Sequence, residues 1–221
     1  MSLRHPLLAE RGVVHGFGLR DVPVPPGVLL PRQVHGARVV AAEACRAEPA
    51  PEADAVTSRE PGVAVGVVTA DCVPILLAAE TGAAVAAVHA GWRGLVAGVV
   101  PQSVDALRRS ARVSGGARIV AAIGPHIGPC CYEVDAPVLE PLTGVFGAAL
   151  ERARRAGRPG HAHVDLGALA AEALVRSGLH VDDIGRLPEC CTRCDAVRFH
   201  SFRRDGPRAG RLMHHVAPAE T

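Results

Sequence analysis

The sequence predicts a mixed α/β (α+β) fold, and three observations carry that expectation. Continuous apolar, β-branched runs such as Val63–Thr69 read as strands buried on both faces. Turn signals between such runs, notably Glu80-Thr81-Gly82, read as hairpins and exclude a purely parallel sheet. Segments of helical periodicity lie between the strands. The best marked has Asp165 as N-cap, an apolar face of Leu166, Leu169, Ala173 and Leu174, and Gly178 as stop.

In chain order, Val22–Pro26 and Ala47–Ala53 read as proline-bearing loops. Val28–Val40 reads as strand, turn and strand. Val63–Thr69, Ile75–Ala79 and Ala83–His89 are expected strands, the last two joined as a hairpin. Gly94–Arg112 is helical in pattern, with Pro101 kinking it or opening a new first turn. Arg118–Ile123 is a strand running into a loop that contains Gly124, Pro125, Gly128 and Pro129. Asp135–Phe146 is a short, interrupted helix. Short strands near Arg186–Leu187, Arg198–Phe202 and Arg211–Val216 complete the chain. No repeat or long linker divides residues 1–221, so one domain is expected.

The 221 residues are 48% hydrophobic, enough for a sizeable core, but aromatics are only 3% and Ile occurs five times. Ala, Val and Leu must therefore do the packing. All 24 basic residues are Arg, and Lys and Asn are absent. Biased, G+C-rich coding explains this, so arginine abundance alone marks no site. A net charge of +2 with scattered arginines leaves no footprint for nucleic acid. The apolar stretches Gly62–Ala79 and Ala83–Val100 carry Asp71, or His89 and Arg93, near their middles, which argues for buried soluble structure and against membrane spans. Seven Cys without an export signal in Met1–Glu10 point to reduced thiols and a cytoplasmic protein. Without lysine, Schiff-base chemistry is excluded.

Reactive residues interrupt the buried-looking strands. Cys72 follows Asp71 at a strand end, His89 closes the strand after the next turn, and His35 sits in Gln33-Val34-His35-Gly36. Two imidazoles and a thiolate suit Zn²⁺ with an open fourth position. The spacing alone is equally compatible with a buried apolar thiol and two satisfied histidines. His89-Ala90-Gly91-Trp92-Arg93-Gly94 leads from strand to helix. Arg93 there either holds an anion or caps a tight turn, and Trp92 either fills core or stacks on a flat substrate. Cys130, Cys131, Cys190, Cys191 and Cys194 read as reduced structural thiols, because Cys191-Thr192-Arg193-Cys194 has no second pair of zinc-ribbon type. Arg203 and Arg204 beside Asp205 read as an ion-paired hairpin or a second anion clamp. His161, His163, His214 and His215 receive no role.

The segments Val14–Phe17, Gln33–Gly36, Thr69–Leu77 (TADCVPILL), His89–Gly94 (HAGWRG), Ile123–Val134 and Phe199–Arg211 occur in this order. Together they resemble the laccase-domain family, formerly described as multicopper polyphenol oxidases and now as purine nucleoside phosphorylases with adenosine deaminase activity. The resemblance covers nearly the whole chain. It implies a single-domain, four-layer α/β/β/α sandwich with a metal held by His35, Cys72 and His89, Zn²⁺ first and copper second. It implies purine nucleosides (adenosine, inosine, S-methyl-5′-thioadenosine) and inorganic phosphate as substrates, and a monomer or homodimer without nucleic-acid or membrane partners. On that basis Arg93, with Arg203 or Arg204, is expected to clamp phosphate. Cys72 and Asp71 join Arg93 as catalytic candidates, with Asp71 orienting water, and Gln33 and His126 are expected at the substrate. His126 and His200 depart from the family pattern, as does the ending from Leu212 to Pro218. Two other activities compete: a copper-dependent polyphenol oxidase and a metal-free cysteine hydrolase with Cys72 as nucleophile and His89 as base. A multicopper centre needs many more His ligands, and only His161 and His163 form an H-x-H pair.

Overall fold

The computed structural model describes residues 2–111, 118–188 and 190–219. Helix α1 (Pro6–Ala9) precedes strands β1 (Val14–Gly16), β2 (Val39–Ala41), β3 (Ala55–Ser58), β4 (Val65–Thr69), β5 (Val73–Ala79) and β6 (Val85–Ala90). Helices α2 (Trp92–Ala97) and α3 (Val99–Ser110) follow, then β7 (Ile119–Ile123), β8 (Glu133–Val134), α4 (Ala136–Phe146) and α5 (Ala148–Ala153). The chain closes with β9 (Arg154–Ala156), β10 (Ala162–Val164), α6 (Leu166–Arg176), β11 (Ile184–Arg186), α7 (Phe202–Asp205) and β12 (Leu212–Ala217).

A six-stranded sheet of order β11-β7-β5-β6-β3-β2 lies at the centre. Its inner pairs are antiparallel, while β2 on β3 and β11 on β7 are parallel. The expected β5–β6 hairpin is present. Gly82 closes it at φ +72°, where an added Cβ would lie 2.6 Å from the Arg11 carbonyl oxygen, so neither conformation nor space admits a side chain.

Both faces of β5 are buried, which is why its sequence runs apolar without alternation. Val73, Ile75, Leu77 and Ala79 pack with Val104 and Leu107 of α3 and with Leu169 and Leu174 of α6. Leu76 and Ala78 pack on the opposite side with Val65, Val67 and Val216. That second layer is the antiparallel sheet β1-β12-β4. On its side the helical contributions among the described residues are short: the turn α1, lying against β1 and β7, and the 3-10 turn Ala42–Arg46, which adds Ala42 and Cys45 to that core. A third sheet, β8-β10-β9, sits beside these layers. Among the described residues no helix is long and apolar enough to cross a membrane.

Three expected elements differ. The helix expected over Gly94–Arg112 is two helices, broken where Gly98 takes φ +84°; Pro101 falls in the first turn of α3, where its missing N–H costs no bond. Arg112 lies outside the described residues. In Val28–Val40 only the end is strand, and Leu29 and Arg32 make isolated bridges. The strand expected at Arg198–Phe202 is absent. Ser201 instead caps α7, its hydroxyl accepting the Arg204 N–H, and an N-cap of this kind turns the chain into a helix.

β12 places His214 in the layer between the sheets, fully buried. The Gly18 N–H donates to His214 Nδ1, so the proton sits on Nε2, 2.9 Å from Thr69 Oγ1. Burial, reinforced by His215 and His89, lowers its pKa from 6.5 to about 3. Between those values the unfolded chain binds a proton that the native chain refuses, so this stabilising contribution is complete above 6.5 and is lost as pH falls. His214→Gln is therefore expected to destabilise at neutral pH, with a penalty smaller by about 1.4 kcal/mol at about pH 5.5. Denaturant unfolding of both proteins at the two pH values measures this; a penalty that does not change with pH contradicts it.

Candidate functional site

The antiparallel register of β5 and β6 pairs Val73 with Ala90 and Pro74 with His89. Cys72, just before β5, is thereby set beside the end of β6. His35 reaches the same point from the loop before β2, where it holds φ +61°. The donor atoms of His35, Cys72 and His89 all lie within 4.8 Å of one another, and the two imidazoles meet edge to face with centroids 4.8 Å apart. Gly91 passes beneath them: a Cβ there would press on Cys72 Sγ at 3.0 Å and on the His35 ring at 3.4 Å.

What holds this geometry is a residue the sequence did not single out. Asp54, immediately before β3, is fully buried. Its carboxylate accepts the backbone N–H groups of Val34, His35 and Gly36 at 3.2, 2.8 and 2.7 Å. It also accepts His89 Nδ1–H at 2.8 Å. Burial alone would raise the Asp54 pKa; the bonds from His89, Gly36 and Val34 outweigh it and hold the carboxyl below its ordinary range. With Nδ1 engaged, His89 presents Nε2 to the cluster, the second-sphere arrangement of metal-ligating histidines.

The electrostatics agree. Burial pushes the Cys72 thiol up, but hydrogen bonds from His35 and His89 bring it down to about 6. Burial opposes charge on His89, yet Asp54 and Cys72 raise its pKa to about 9. The thiol is thus poised as a thiolate, the form that ligates metal. Two imidazoles and a thiolate at this spacing, one imidazole fixed by a carboxylate, fit Zn²⁺ with a fourth position open.

The cluster forms the floor of a cavity of about 600 Å³ lined also by Gln33, Thr69, Trp92, Arg93, Tyr132, Phe202, Arg203 and Arg211. The Arg93 guanidinium lies over Trp92, 4.4 Å from the ring centroid, and Arg203 lies over Tyr132 at 5.2 Å. Arg211, which no sequence signal marked as a site residue, adds a third cation to the lining.

Four other expected site residues are engaged with the framework, and two of them, Asp71 and Gln33, also line the cavity. Asp71 borders the cavity at φ +87°, but its carboxylate is engaged by Thr192 Oγ1, Ser201 Oγ and the Arg203 backbone N–H. It anchors the segment carrying Arg203 and has little acceptor capacity left to orient water. The Gln33 amide is spent on Val68, accepting its N–H and donating to its carbonyl, each at 2.8 Å. Arg204 is not at the cavity: its guanidinium bonds the carbonyls of Thr192, Arg193 and Phe199 and the Asp205 carboxylate. His126 is buried away from it, with Nδ1 on the Gly124 carbonyl and Nε2 so near Gly167 that no Cβ fits there.

A family model described as multi-copper polyphenol oxidoreductase laccase matches residues 19–218. The chain belongs to this laccase family. A relative from Xylella fastidiosa strain 9a5c, named purine nucleoside phosphorylase, is 40% identical over 193 residues, covering 82% of this chain and 68% of the relative. A Streptomyces coelicolor protein of the same designation is 41% identical over 193 residues, covering 87% and 75%. A protein from an unknown prokaryotic organism, named adenosine deaminase RL5, is 38% identical over 195 residues, covering 84% and 73%. The crystal structure of YlmD from Geobacillus stearothermophilus superposes with TM-score 0.85 at 25% identity, covering 98% of this chain and 94% of that one.

Within this laccase-family framework, removing the Asp54 carboxylate frees the His89 ring and the loop at His35. Asp54→Ala is expected to weaken zinc binding by about 10- to 100-fold, measured by competition with a chromophoric chelator. Unchanged affinity in a folded variant would show that the carboxylate does not organise the ligands.

Proposed function

We propose that this chain is a zinc-dependent purine nucleoside phosphorylase, acting on adenosine, inosine and S-methyl-5′-thioadenosine, that also deaminates adenosine. One observation carries the reading: a cavity of about 600 Å³ combines a His₂Cys floor with Arg211 and with Arg93 and Arg203, each stacked on an aromatic ring. That volume suits a small ligand, and the chemistry suits an anion next to a flat base. The names of the relatives support the same class.

In phosphorolysis a phosphate oxygen bonds to C1′ of the ribose while the C1′–N9 bond breaks, its electron pair leaving with the purine. Arg93 and Arg203 carry planar groups suited to phosphate, their planes fixed by stacking on Trp92 and Tyr132; with Nη1 of Arg203 on the Glu133 carbonyl, its Nε and Nη2 remain to donate. Arg203 is held from two sides, by its backbone bond to Asp71 and by Nη1 on the Glu133 carbonyl. Burial keeps the Tyr132 phenol protonated, so it can donate a hydrogen bond to the departing base. When bound at His35, Cys72 and His89, zinc supplies Lewis acidity and lowers the pKa of a water toward about 7, the chemistry that hydrolytic loss of the adenine amino group requires. A thiolate and two imidazoles suit Zn²⁺ or copper and not the hard, oxygen-seeking Mg²⁺ or Ca²⁺.

One geometric fact favours a second reading. Cys72, His89 and Asp54 are connected in the order nucleophile, base and orienting acid, as in a cysteine hydrolase. His35 counts against it, because a triad needs one imidazole and this site converges two on the sulfur. The oxidase reading has less support: among the described residues the two groupings of potential ligands contain no more than two histidines each.

The decisive assay incubates metal-analysed protein with each nucleoside, with and without phosphate, and separates bases and sugar phosphates by chromatography. Phosphate-dependent base release that disappears in Cys72→Ala is expected, with inosine formed from adenosine. Phenol oxidation with copper and no nucleoside consumption would replace the proposal by the oxidase; hydrolysis of an activated ester through a thioester on Cys72, with its leaving group released stoichiometrically in the first turnover, would replace it by the hydrolase. Arg203→Ala is expected to raise the KM for phosphate by about 10- to 100-fold, the loss of charge-assisted bonds, with a smaller effect on the KM for nucleoside.

A further inference from the structure

A second group of metal-ligating side chains lies outside the cavity. Cys130 and Cys131 belong to the turn between β7 and β8, whereas Cys191 and Cys194 belong to the loop between β11 and α7. The fold supplies the second cysteine pair that the sequence lacks nearby. All four sulfurs lie within 4.8 Å of one another. Cys194 Sγ is 3.6 Å from that of Cys130 and 3.2 Å from that of Cys131. A tetrahedral centre with metal–sulfur bonds of about 2.3 Å places its sulfurs about 3.8 Å apart, whereas a disulfide requires about 2.05 Å. The four thiols are all free and sit near the former spacing.

We propose that Cys130, Cys131, Cys191 and Cys194 form a closed tetrathiolate site for a structural Zn²⁺, distinct from the three-donor site at His35, Cys72 and His89. Four protein ligands leave no position for substrate, as structural zinc sites require. The surroundings suit the charge of four thiolates around a divalent cation. The Gly128 N–H is directed at Cys191 Sγ at 3.3 Å, and the Arg193 side chain bonds to Cys131. Arg204 clasps the Thr192 and Arg193 carbonyls, the two residues between the second cysteine pair, and Arg155 holds the Pro129 carbonyl beside the first. Arg204, expected at phosphate, thus belongs to the frame of this cluster.

The site joins two loops that both reach the cavity. The 128–132 turn carries Tyr132. The loop before α7 carries Thr192, bonded to Asp71, and leads into Arg203 in the first turn of that helix. In the protein alone the two loops meet through backbone bonds from His126 to Cys190 and from Thr192 to His126. A zinc across them would fix the cavity wall without touching substrate.

The test uses Cys72→Ala, which lacks the only sulfur of the cavity site. Reduced, metal-free Cys72→Ala is titrated anaerobically with Co²⁺. The expected result is stoichiometric binding with ligand-field bands of tetrahedral cobalt and an intense sulfur-to-metal charge-transfer band, both bleached by Zn²⁺. Adding Cys191→Ser and Cys194→Ser should reduce binding to background. Cys194→His in the same background should restore stoichiometric binding with an altered spectrum, which separates ligation from misfolding. Absence of the charge-transfer band in folded, fully reduced Cys72→Ala, or freshly isolated wild-type protein in which mass spectrometry finds these cysteines paired as disulfides, would overturn the proposal. Neither result depends on nucleoside turnover, so it stands or falls apart from the phosphorylase reading.

Discussion

A carboxylate removed from water costs several kcal/mol unless its oxygens are hydrogen-bonded, and Asp54 is fully buried. Its partners are the three consecutive N–H groups of residues 34–36 and the Nδ1–H of His89. The left-handed turn at His35, the orientation of the His89 ring and the start of β3 are therefore set by one desolvated charge. Cys72 is then caught between two imidazoles whose positions are already fixed. The cavity floor is preorganised because a looser arrangement would leave Asp54 unsatisfied.

A second carboxylate does comparable work on the wall. Asp71 binds Thr192, Ser201 and the Arg203 backbone, linking the start of β5 to α7 across more than a hundred residues of sequence. Between Asp54 and Asp71 the donors from the large sheet and the arginines from the last third of the chain are brought to one cavity. Each acid acts through backbone N–H groups as well as side chains, so each positions whole segments. The cavity joins a soft His₂Cys donor set to planar cations stacked on aromatic rings. The proposed phosphorolysis and deamination rest on that combination.

The strands were legible where physical chemistry leaves a local mark. β5 and β6 are buried on both faces and read as apolar runs; Asp165 and Gly178 bracket α6 with N-cap and stop chemistry, as expected. His35, Cys72 and His89 stood out because polar reactive residues rarely end buried strands without a reason, and the HAGWRG and ADCVP motifs reinforced them. Asp54 was not legible. It lies between two alanines with no local pattern, and its partners are 18 to 35 residues away. Arg204 and Asp71 were assigned to chemistry because they adjoin motif residues, but adjacency along the chain does not say where a side chain points. The four-cysteine cluster was hidden for a related reason: 63 residues separate Cys131 from Cys194, and only the sheet order brings their loops together. The strand expected near Phe202 failed because Ser201 satisfied the backbone as a helix cap.

We propose that Asp54 organises His35, Cys72 and His89 into a three-donor metal site with one position open. Crystallographic diffraction recorded on both sides of the zinc absorption edge tests it most directly. The expected result is an anomalous peak bonded to Cys72 Sγ at about 2.3 Å and to one nitrogen of each histidine at about 2.0–2.1 Å, with no fourth protein ligand. A zinc-replete crystal with no peak between these three residues, or a peak whose ligands leave out Cys72, would contradict it.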